Sequence, residues 1–159
     1  MIVILVMVSS CVFFFLFSDK VFLMNYEDDI VSFKYYNNYK VKKGDNGFII
    51  TSKDGVADII VNFNFSDTIY TSSLYRDVSS KVSSEMIDSN LYKLVSDNCV
   101  DHMCTSVYED DKKKVSIVVE FREKIMVVYK FSIVKEEFDK YEDGFSVIVN
   151  SLVIESDAD

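Results

Sequence analysis

The first seventeen residues of the chain, 1–17, carry no charged side chain. About twenty apolar residues are needed for a helix that crosses a bilayer, and the apolar residues 21–24 follow the charged pair Asp19 and Lys20, so a tilted helix can extend over residues 1–24. A cleaved signal peptide starts with basic residues and ends with small ones, and this run has neither. The sequence therefore predicts an uncleaved membrane anchor over residues 1–24, with a cleaved signal segment or a buried strand or helix as the alternatives.

A cysteine inside this run has the setting of a lipid-attachment site. The residues before Cys11 are Val-Ser-Ser, which is the form of a lipoprotein box. The run stays apolar for six residues beyond Cys11, where a lipoprotein has a polar tether, so a membrane-buried cysteine is favoured. We predict a cytoplasmic N-terminus with the following domain outside; the charges near the run, of which Lys20 is the nearest cation, contribute little to this choice under the positive-inside rule.

The rest of the chain has the length of one domain, which we place at residues 25–154, with an acidic tail at 155–159 that we expect to fray. The net charge of −9 comes from 26 acidic and 17 basic residues, all outside residues 1–17. The densest basic cluster, 112–114, directly follows three acidic residues in a predicted loop. Because such a surface repels phosphate, the sequence predicts no nucleic-acid partner.

Alternating apolar and polar residues predict an antiparallel sheet in the first half of the domain. Extended segments are predicted over residues 30–36, 39–42, 48–52 and 57–65. Turns are predicted at Gly44-Asp45-Asn46-Gly47, because Asn-Gly suits the positive φ angles of a tight hairpin, and at Asp54-Gly55. We expect these segments to form the opening meander of one sheet.

Two segments change to helical spacing. Apolar residues recur every fourth position from Leu74 to Met86, which predicts a helix over residues 71–89 capped by Ser72 or Ser73. A second amphipathic helix is predicted over residues 135–150. Gly144 inside it costs about 1 kcal/mol relative to alanine, so we expect a close contact between helix and sheet there.

Further strands lie between the two predicted helices, over residues 92–95, 103–108, 114–121 and 124–133. The last two are long, rich in β-branched residues and separated by Arg122-Glu123, which predicts a hairpin at the centre of the sheet. The sequence therefore predicts an α+β fold: an antiparallel β-sheet with two packed amphipathic helices, preceded by an N-terminal hydrophobic helix.

This order of elements resembles the PsbP-like family of α/β/α sandwich domains, which includes the PsbP and Mog types. The resemblance covers about residues 33–154. The segments that carry it are a strand at 39–41, hairpin residues 45–50, the segment 54–59, the long hairpin 115–129, and the closing helix 138–152 with its end Ile-Val-Asn-Ser-Leu. It implies a binding or assembly module without catalysis, and it transfers no ligand site to particular residues of this chain.

The single histidine, His102, lies between Cys99 and Cys104. A structural zinc site needs four ligands, and the domain has no second pair of cysteines or histidines. A nucleophilic cysteine needs a base held by a third group, whereas His102 is a near sequence neighbour of both cysteines. The spacing favours a disulfide between Cys99 and Cys104, with Cα atoms about 4.4 to 6.8 Å apart; free structural thiols and a metal or catalytic role are the alternatives.

Other templates for chemistry do not occur in the chain: there is no G-x-S-x-G elbow, phosphate-binding glycine loop, dinucleotide fingerprint or H-E-x-x-H motif. We therefore predict no catalytic residue, no metal site, no cofactor and no enzymatic activity. Asn64 begins a glycosylation sequon, Asn-Phe-Ser, which is a candidate site if the domain is exported and this strand end is exposed.

The function predicted from these observations is a membrane-tethered, extracytoplasmic, non-catalytic binding or assembly module. It would contact the membrane through residues 1–24 and bind a protein partner that the sequence does not identify. The alternative is a small-ligand carrier or enzyme accessory domain with an aromatic-lined pocket, built from Tyr35, Tyr36, Tyr70 or Tyr92. A closed apolar cavity of several hundred Å³ would favour that alternative.

Overall fold

The computed structural model describes residues 21–155, which form an α+β domain. Its strands are β1 (Leu23–Glu27), β2 (Val31–Tyr36), β3 (Tyr39–Gly44), β4 (Gly47–Ser52), β5 (Ala57–Phe65), β6 (Lys93–Val100), β7 (Met103–Glu109), β8 (Lys113–Arg122), β9 (Ile125–Val134) and β10 (Val153–Ile154). Its α-helices are α1 (Tyr75–Met86) and α2 (Phe138–Ser151), the latter preceded by a short 3₁₀ turn (Lys135–Glu137). None of the helices among these residues is long and apolar enough to cross a membrane. The predicted hydrophobic helix falls mainly on residues 1–20, outside the described part of the chain.

Seven strands form the main sheet, in the order β3-β4-β5-β9-β8-β7-β6, and every neighbouring pair is antiparallel. β9 is the middle strand and β8 lies beside it, which confirms the prediction that this hairpin is central. Both strands have ten residues and are buried along most of their length because layers cover both of their faces. The hairpin turns at Glu123-Lys124, one residue later than predicted, and Glu123 adopts the positive φ of 47°.

A second sheet of three antiparallel strands, β1-β2-β10, corrects the prediction of a single sheet. β2 leaves the meander because the turn at Asn37-Asn38 carries the chain into another layer, where Phe33 packs on Phe48 of β4 with ring centroids 5.4 Å apart. Leu23 and Met24, at the end of the predicted anchor of residues 1–24, belong to β1 and pair with β2.

The two faces of the main sheet are covered unequally. On one face, α2 and the three-stranded sheet enclose a core that includes Ile50, Ile59, Phe131 and Ile148, none of which is exposed. On the other face, α1 packs on β7 and β8 over a smaller core centred on Ile117. The result is a sandwich in which helices lie on opposite faces of a central sheet.

Helix α1 is shorter than the predicted 71–89 and faces the sheet differently. Leu74 occupies the N-cap position and no side chain caps the helix, so the expected caps at Ser72 or Ser73 are wrong. Leu74 is about half exposed, whereas Ser79 and Ser83 are buried against the sheet. These small side chains let the helix approach β7 closely, and the Ser83 hydroxyl lies 3.4 Å from that of Ser106.

Two glycines are explained by close contacts. Gly47 begins β4 after a turn at Asp45-Asn46, which lies within the predicted turn of residues 44–47, and a Cβ at Gly47 would lie 1.8 Å from the carbonyl oxygen of Val61. Gly144 lies in α2 against Tyr39, whose hydroxyl oxygen would be 2.7 Å from a Cβ at that position. The expected helix-to-sheet contact at Gly144 is therefore present.

Candidate functional site

An open cleft of about 500 Å³ lies at one corner of the sandwich, where the β2–β3 turn, the β4–β5 turn and the first half of α2 meet. Its polar lining includes Tyr36, Tyr39, Asp54, Lys140, Tyr141 and Asp143. The two turns fix the cleft because each reverses the chain within a few residues, and Gly55 supports the second turn with a φ of 73°. The cleft thus collects phenols, carboxylates and one ammonium group from three separate segments.

Two hydrogen bonds between phenols and carboxylates organise the walls of the cleft. Tyr36 donates to Asp143 Oδ2 over 2.6 Å, and Tyr141 donates to Asp54 Oδ2. Asp54 also accepts a hydrogen bond from the Ser52 hydroxyl, and this bond, followed by the one from Tyr141, lowers the pKa of Asp54 to about 2. The Asp54 carboxylate is therefore charged and already engaged on both oxygens at neutral pH.

Tyr39 differs from these two tyrosines because its hydroxyl has no hydrogen-bond partner within residues 21–155. The side chain lies under Gly144 and against Tyr141, and the residue is only 4% exposed. Burial, together with the nearby Tyr141 and the Asp54 carboxylate, raises the pKa of Tyr39. The Oδ1 atom of Asn38, the preceding residue, is likewise buried without a partner in the described part of the chain.

A second polar cluster, formed by Glu120, Arg122 and Tyr129, lies at the opposite end of the same sheet face. We call it a closed network because its polar groups hydrogen-bond to one another. Glu120 is 6% exposed and accepts two hydrogen bonds from Arg122, at 2.7 and 2.8 Å, and one from the Tyr129 hydroxyl at 2.9 Å. Arg122 also donates to the carbonyl oxygen of Leu152, just past the end of α2. These bonds satisfy the buried carboxylate, so the cluster ties α2 to the sheet.

Cys99 and Cys104 lie opposite each other in the β6–β7 hairpin, and the structure joins their sulfur atoms. Their Cα atoms are 4.0 Å apart, closer than the range expected from the sequence, because the two residues are directly opposite partners in the antiparallel pair. His102 lies 3.8 Å from Glu120 through its Nε2 atom. The histidine is therefore a neighbour of the buried carboxylate, which the sequence analysis did not anticipate.

The other predicted site residues are dispersed. Asn64 is exposed near the end of β5 and pairs with Met126 of β9. Tyr35 and Tyr36 pack on the α2 side of the sheet, whereas Tyr70 and Tyr92 pack on the α1 side. The four tyrosines suggested for an aromatic pocket therefore lie in two clusters, and only Tyr36 lines the cleft.

Sequence reasoning missed most of the cleft and the Glu120 cluster. Tyr141 and Asp54 are 87 positions apart, so no local pattern connects them. Glu120 could have been recognised from the sequence, because it is an acidic residue inside the apolar run Val-Ser-Ile-Val-Val-Glu-Phe, where a buried charge needs a partner.

Within residues 21–155, no group of three or more His, Cys, Asp or Glu side chains is arranged to hold a metal ion.

The comparisons with known proteins support the fold. No protein-family model matches the chain, and no curated protein matches its sequence. The solution structure of cyanobacterial PsbP (CyanoP) from Synechocystis sp. PCC 6803 is similar, with a TM-score of 0.65, 14% identity, and 83% of this chain and 92% of that one covered. A crystal structure from Bacteroides thetaiotaomicron VPI-5482 has a TM-score of 0.51 at 10% identity, with 81% of this chain and 46% of that one covered. The chain therefore has a PsbP-like fold.

Proposed function

We propose that the protein is a non-catalytic binding or assembly module, held at the extracytoplasmic face of a membrane by the apolar run that precedes β1. The observation that carries this proposal is that the domain of residues 21–155 builds its hydrophobic cores without the apolar run. Elements within residues 21–155 cover one face of the main sheet and the β7–β8 part of the other, and they enclose both hydrophobic cores, so the uncharged residues 1–17 are not required to build either core. An apolar run that a domain does not use for its core is available to a bilayer.

Two further observations support the compartment and the kind of function. The structure joins the sulfurs of Cys99 and Cys104, and disulfides persist in oxidising compartments such as the periplasm or the extracellular space. The fold is similar to that of cyanobacterial PsbP. The PsbP-like family consists mostly of binding or assembly modules, and this is the basis for proposing binding rather than catalysis.

The test is a topology experiment on the full chain in bacterial cells. We expect the protein to stay in the membrane pellet after alkaline carbonate washing, and protease added to intact spheroplasts to digest the domain. A domain that is digested only after lysis would lie on the cytoplasmic side, and the proposal would then be wrong.

A matched pair of variants isolates the role of the apolar run. Val12→Lys places a charge in the middle of the run, which costs about 2.5 to 3.5 kcal/mol at the centre of a membrane helix, so the protein should leave the pellet. Val100→Lys makes the same change at an exposed position of the β6–β7 hairpin and should not alter membrane association. Equal behaviour of the two variants would contradict tethering by this run.

The structure also bears on the alternative function, a ligand carrier or enzyme accessory domain with an aromatic-lined pocket. The cleft is open and has a polar lining, so it does not have the closed apolar character expected of a carrier for an apolar ligand. It does combine three tyrosines with charged groups, which suits recognition of a small polar group. The cleft is therefore a candidate binding site within the proposed module.

A further inference from the structure

The strongest sign of an additional binding site is a pair of buried polar atoms in the wall of the cleft. The hydroxyl of Tyr39 and the Oδ1 of Asn38 are inaccessible to solvent and have no hydrogen-bond partner within residues 21–155. Leaving a buried polar group without a partner costs about 1 to 3 kcal/mol, so the great majority of such groups are paired. Two adjacent exceptions at one cleft indicate a place where a ligand can supply the missing bonds.

The charge around these atoms favours a cation. Asp54 and Asp143 contribute two carboxylates to the lining, against the single ammonium group of Lys140. That ammonium already binds Glu137 Oε2 at 3.1 Å and lies 4.9 Å from the centre of the Tyr141 ring. Phenol faces and carboxylates together attract cations, so the cleft has an excess of groups that stabilise positive charge.

The hydrogen-bonding capacity of the two unpaired atoms narrows the kind of cation. An amide oxygen only accepts hydrogen bonds, and a phenol oxygen accepts as well as donates, so both atoms suit an N–H donor. A primary ammonium group has three such donors, enough for Asn38, Tyr39 and one carboxylate. A quaternary ammonium has none, and it would leave both atoms unpaired.

The space next to the Tyr39 hydroxyl depends on Gly144. Any side chain at that position would place its Cβ 2.7 Å from the hydroxyl oxygen and 3.0 Å from the phenol ring. Both unpaired atoms belong to residues that line the cleft together with Lys140, so a ligand must displace a rim side chain to reach them. Lys140 is about two-thirds exposed and can make this movement at little cost.

We propose that this cleft binds a primary ammonium group, held by Asn38, Tyr39 and the carboxylate of Asp143. The group comes either from a free amine or from a lysine side chain of a partner protein. The second source rests on the proposed function, since it requires the chain to be a binding module.

The experiment is an NMR titration of the full ¹⁵N-labelled chain in a non-ionic detergent that contains no ammonium group. The amide of Gly144 is a convenient probe because the chain has only four glycines. At constant ionic strength, n-butylammonium added to about 100 mM should shift this signal in a saturable way, as expected for a Kd in the millimolar range. Tetramethylammonium should not; no saturable shift, or equal shifts with both cations, would overturn the proposal.

Variants assign the binding to the named atoms. Tyr39→Phe removes one hydrogen bond to a charged group and should weaken butylammonium binding about tenfold. Tyr129→Phe removes a buried hydroxyl of the same core outside the cleft and should leave the affinity unchanged. Lys140→Met removes a competing ammonium group and should strengthen binding a few-fold. An unchanged affinity in Tyr39→Phe would contradict the site.

A second measurement identifies the source of the ammonium group and keeps the two proposals separate. Partners are cross-linked and captured from the native membrane with the wild type and with Tyr39→Phe. A partner captured only by the wild type, through a lysine mapped to the cross-link, identifies the protein source. Equal capture by both chains assigns the cleft to a free amine and leaves the proposed binding module intact. If the topology test fails while butylammonium binds, only the proposed function is lost.

Discussion

Tyr129 and Tyr39 are both buried phenols under the layer formed by α2 and the three-stranded sheet, and they differ in one hydrogen bond. Tyr129 is fully buried and donates to Glu120, whereas the Tyr39 hydroxyl has no partner within residues 21–155. Burial is the main reason that the pKa of each tyrosine is raised. A paired buried hydroxyl contributes about 1 kcal/mol to stability, while an unpaired one costs a similar amount or more. The hydrogen bond of Tyr129 therefore stabilises the fold, whereas the unpaired hydroxyl of Tyr39 destabilises it. A ligand that pairs with the Tyr39 hydroxyl can restore this lost stability.

The largest expected effect comes from replacing Glu120, the shared acceptor of the closed network that it forms with Arg122 and Tyr129. Glu120→Ala leaves Arg122 and the Tyr129 hydroxyl without their shared acceptor, so we expect a loss of about 3 kcal/mol in the free energy of unfolding, measured by urea denaturation. Asp143→Ala is the matched change in the open cleft, where an exposed carboxylate accepts one bond from Tyr36, and it should cost less than about 1 kcal/mol. Similar losses in the two variants would remove the distinction between the clusters.

The next effect concerns the hairpin that brings His102 to the closed network. The bond between Cys99 and Cys104 stays a prediction for the protein in solution, and a loop this short gives an expected stabilisation of about 2 kcal/mol. The Cys99→Ala/Cys104→Ala double variant should lose this amount in urea denaturation while keeping the fold. Maleimide labelling of the folded, unreduced wild type should modify neither cysteine, and stoichiometric labelling of both would refute the bond.

Substitution at the open end tests the fit of α2 on Tyr39. Alanine normally stabilises a helix by about 1 kcal/mol relative to glycine, but the Cβ of Gly144→Ala would press on the Tyr39 phenol. Overpacking typically costs about 1 to 3 kcal/mol, so we expect a net loss of about 1 kcal/mol in thermal or urea unfolding. Ser146→Ala, at a half-buried position two residues along the same helix, is the control and should not destabilise. A stabilised Gly144→Ala would show that the contact is loose.

The smallest of these effects depends on pH. The pKa of Asp54 in the folded state is about 2, below the value near 4 of an unfolded aspartate, so its contribution is complete above about pH 4 and disappears as the pH falls through 2. Because Asp54 is exposed, we expect only about 0.5 kcal/mol. A ¹³C carboxyl titration should give the low pKa, and Tyr141→Phe should raise it. An unshifted carboxyl in the wild type would contradict the hydrogen bonds that line the cleft.

The parts of the fold that the sequence predicted are those with long local patterns. Strand β5 alternates over nine residues, and β8 and β9 are ten-residue segments rich in β-branched residues, so the existence of these strands and the central place of the β8–β9 hairpin followed from the sequence. The division into two sheets did not follow, because β2 joins β10 and the end of α2 across about 117 positions. β1 was missed because Leu23 and Met24 continue the apolar character of the preceding run.

The candidate site was less predictable than the fold, for the same physical reason. Gly144 predicted a close contact because glycine inside a helix is destabilising, and in the structure the close neighbour of Gly144 is Tyr39. No local sequence pattern marks Tyr39, because a buried tyrosine in an alternating strand is usually part of the core. The lack of a hydrogen-bond partner for its hydroxyl within residues 21–155 is seen only once the β4–β5 turn and α2 have been placed around it.

The most direct test of the account is the effect of removing each buried hydroxyl on the free energy of unfolding. We predict that Tyr129→Phe lowers it by about 1 to 3 kcal/mol, because Glu120 loses a donor in a buried site, and that Tyr39→Phe leaves it unchanged or raises it slightly. Added n-butylammonium should then stabilise the wild type and Tyr129→Phe but have a much smaller effect on Tyr39→Phe. Equal losses in the two variants, with no stabilisation by the amine, would show that the two tyrosines play the same structural role and that the cleft is not a binding site.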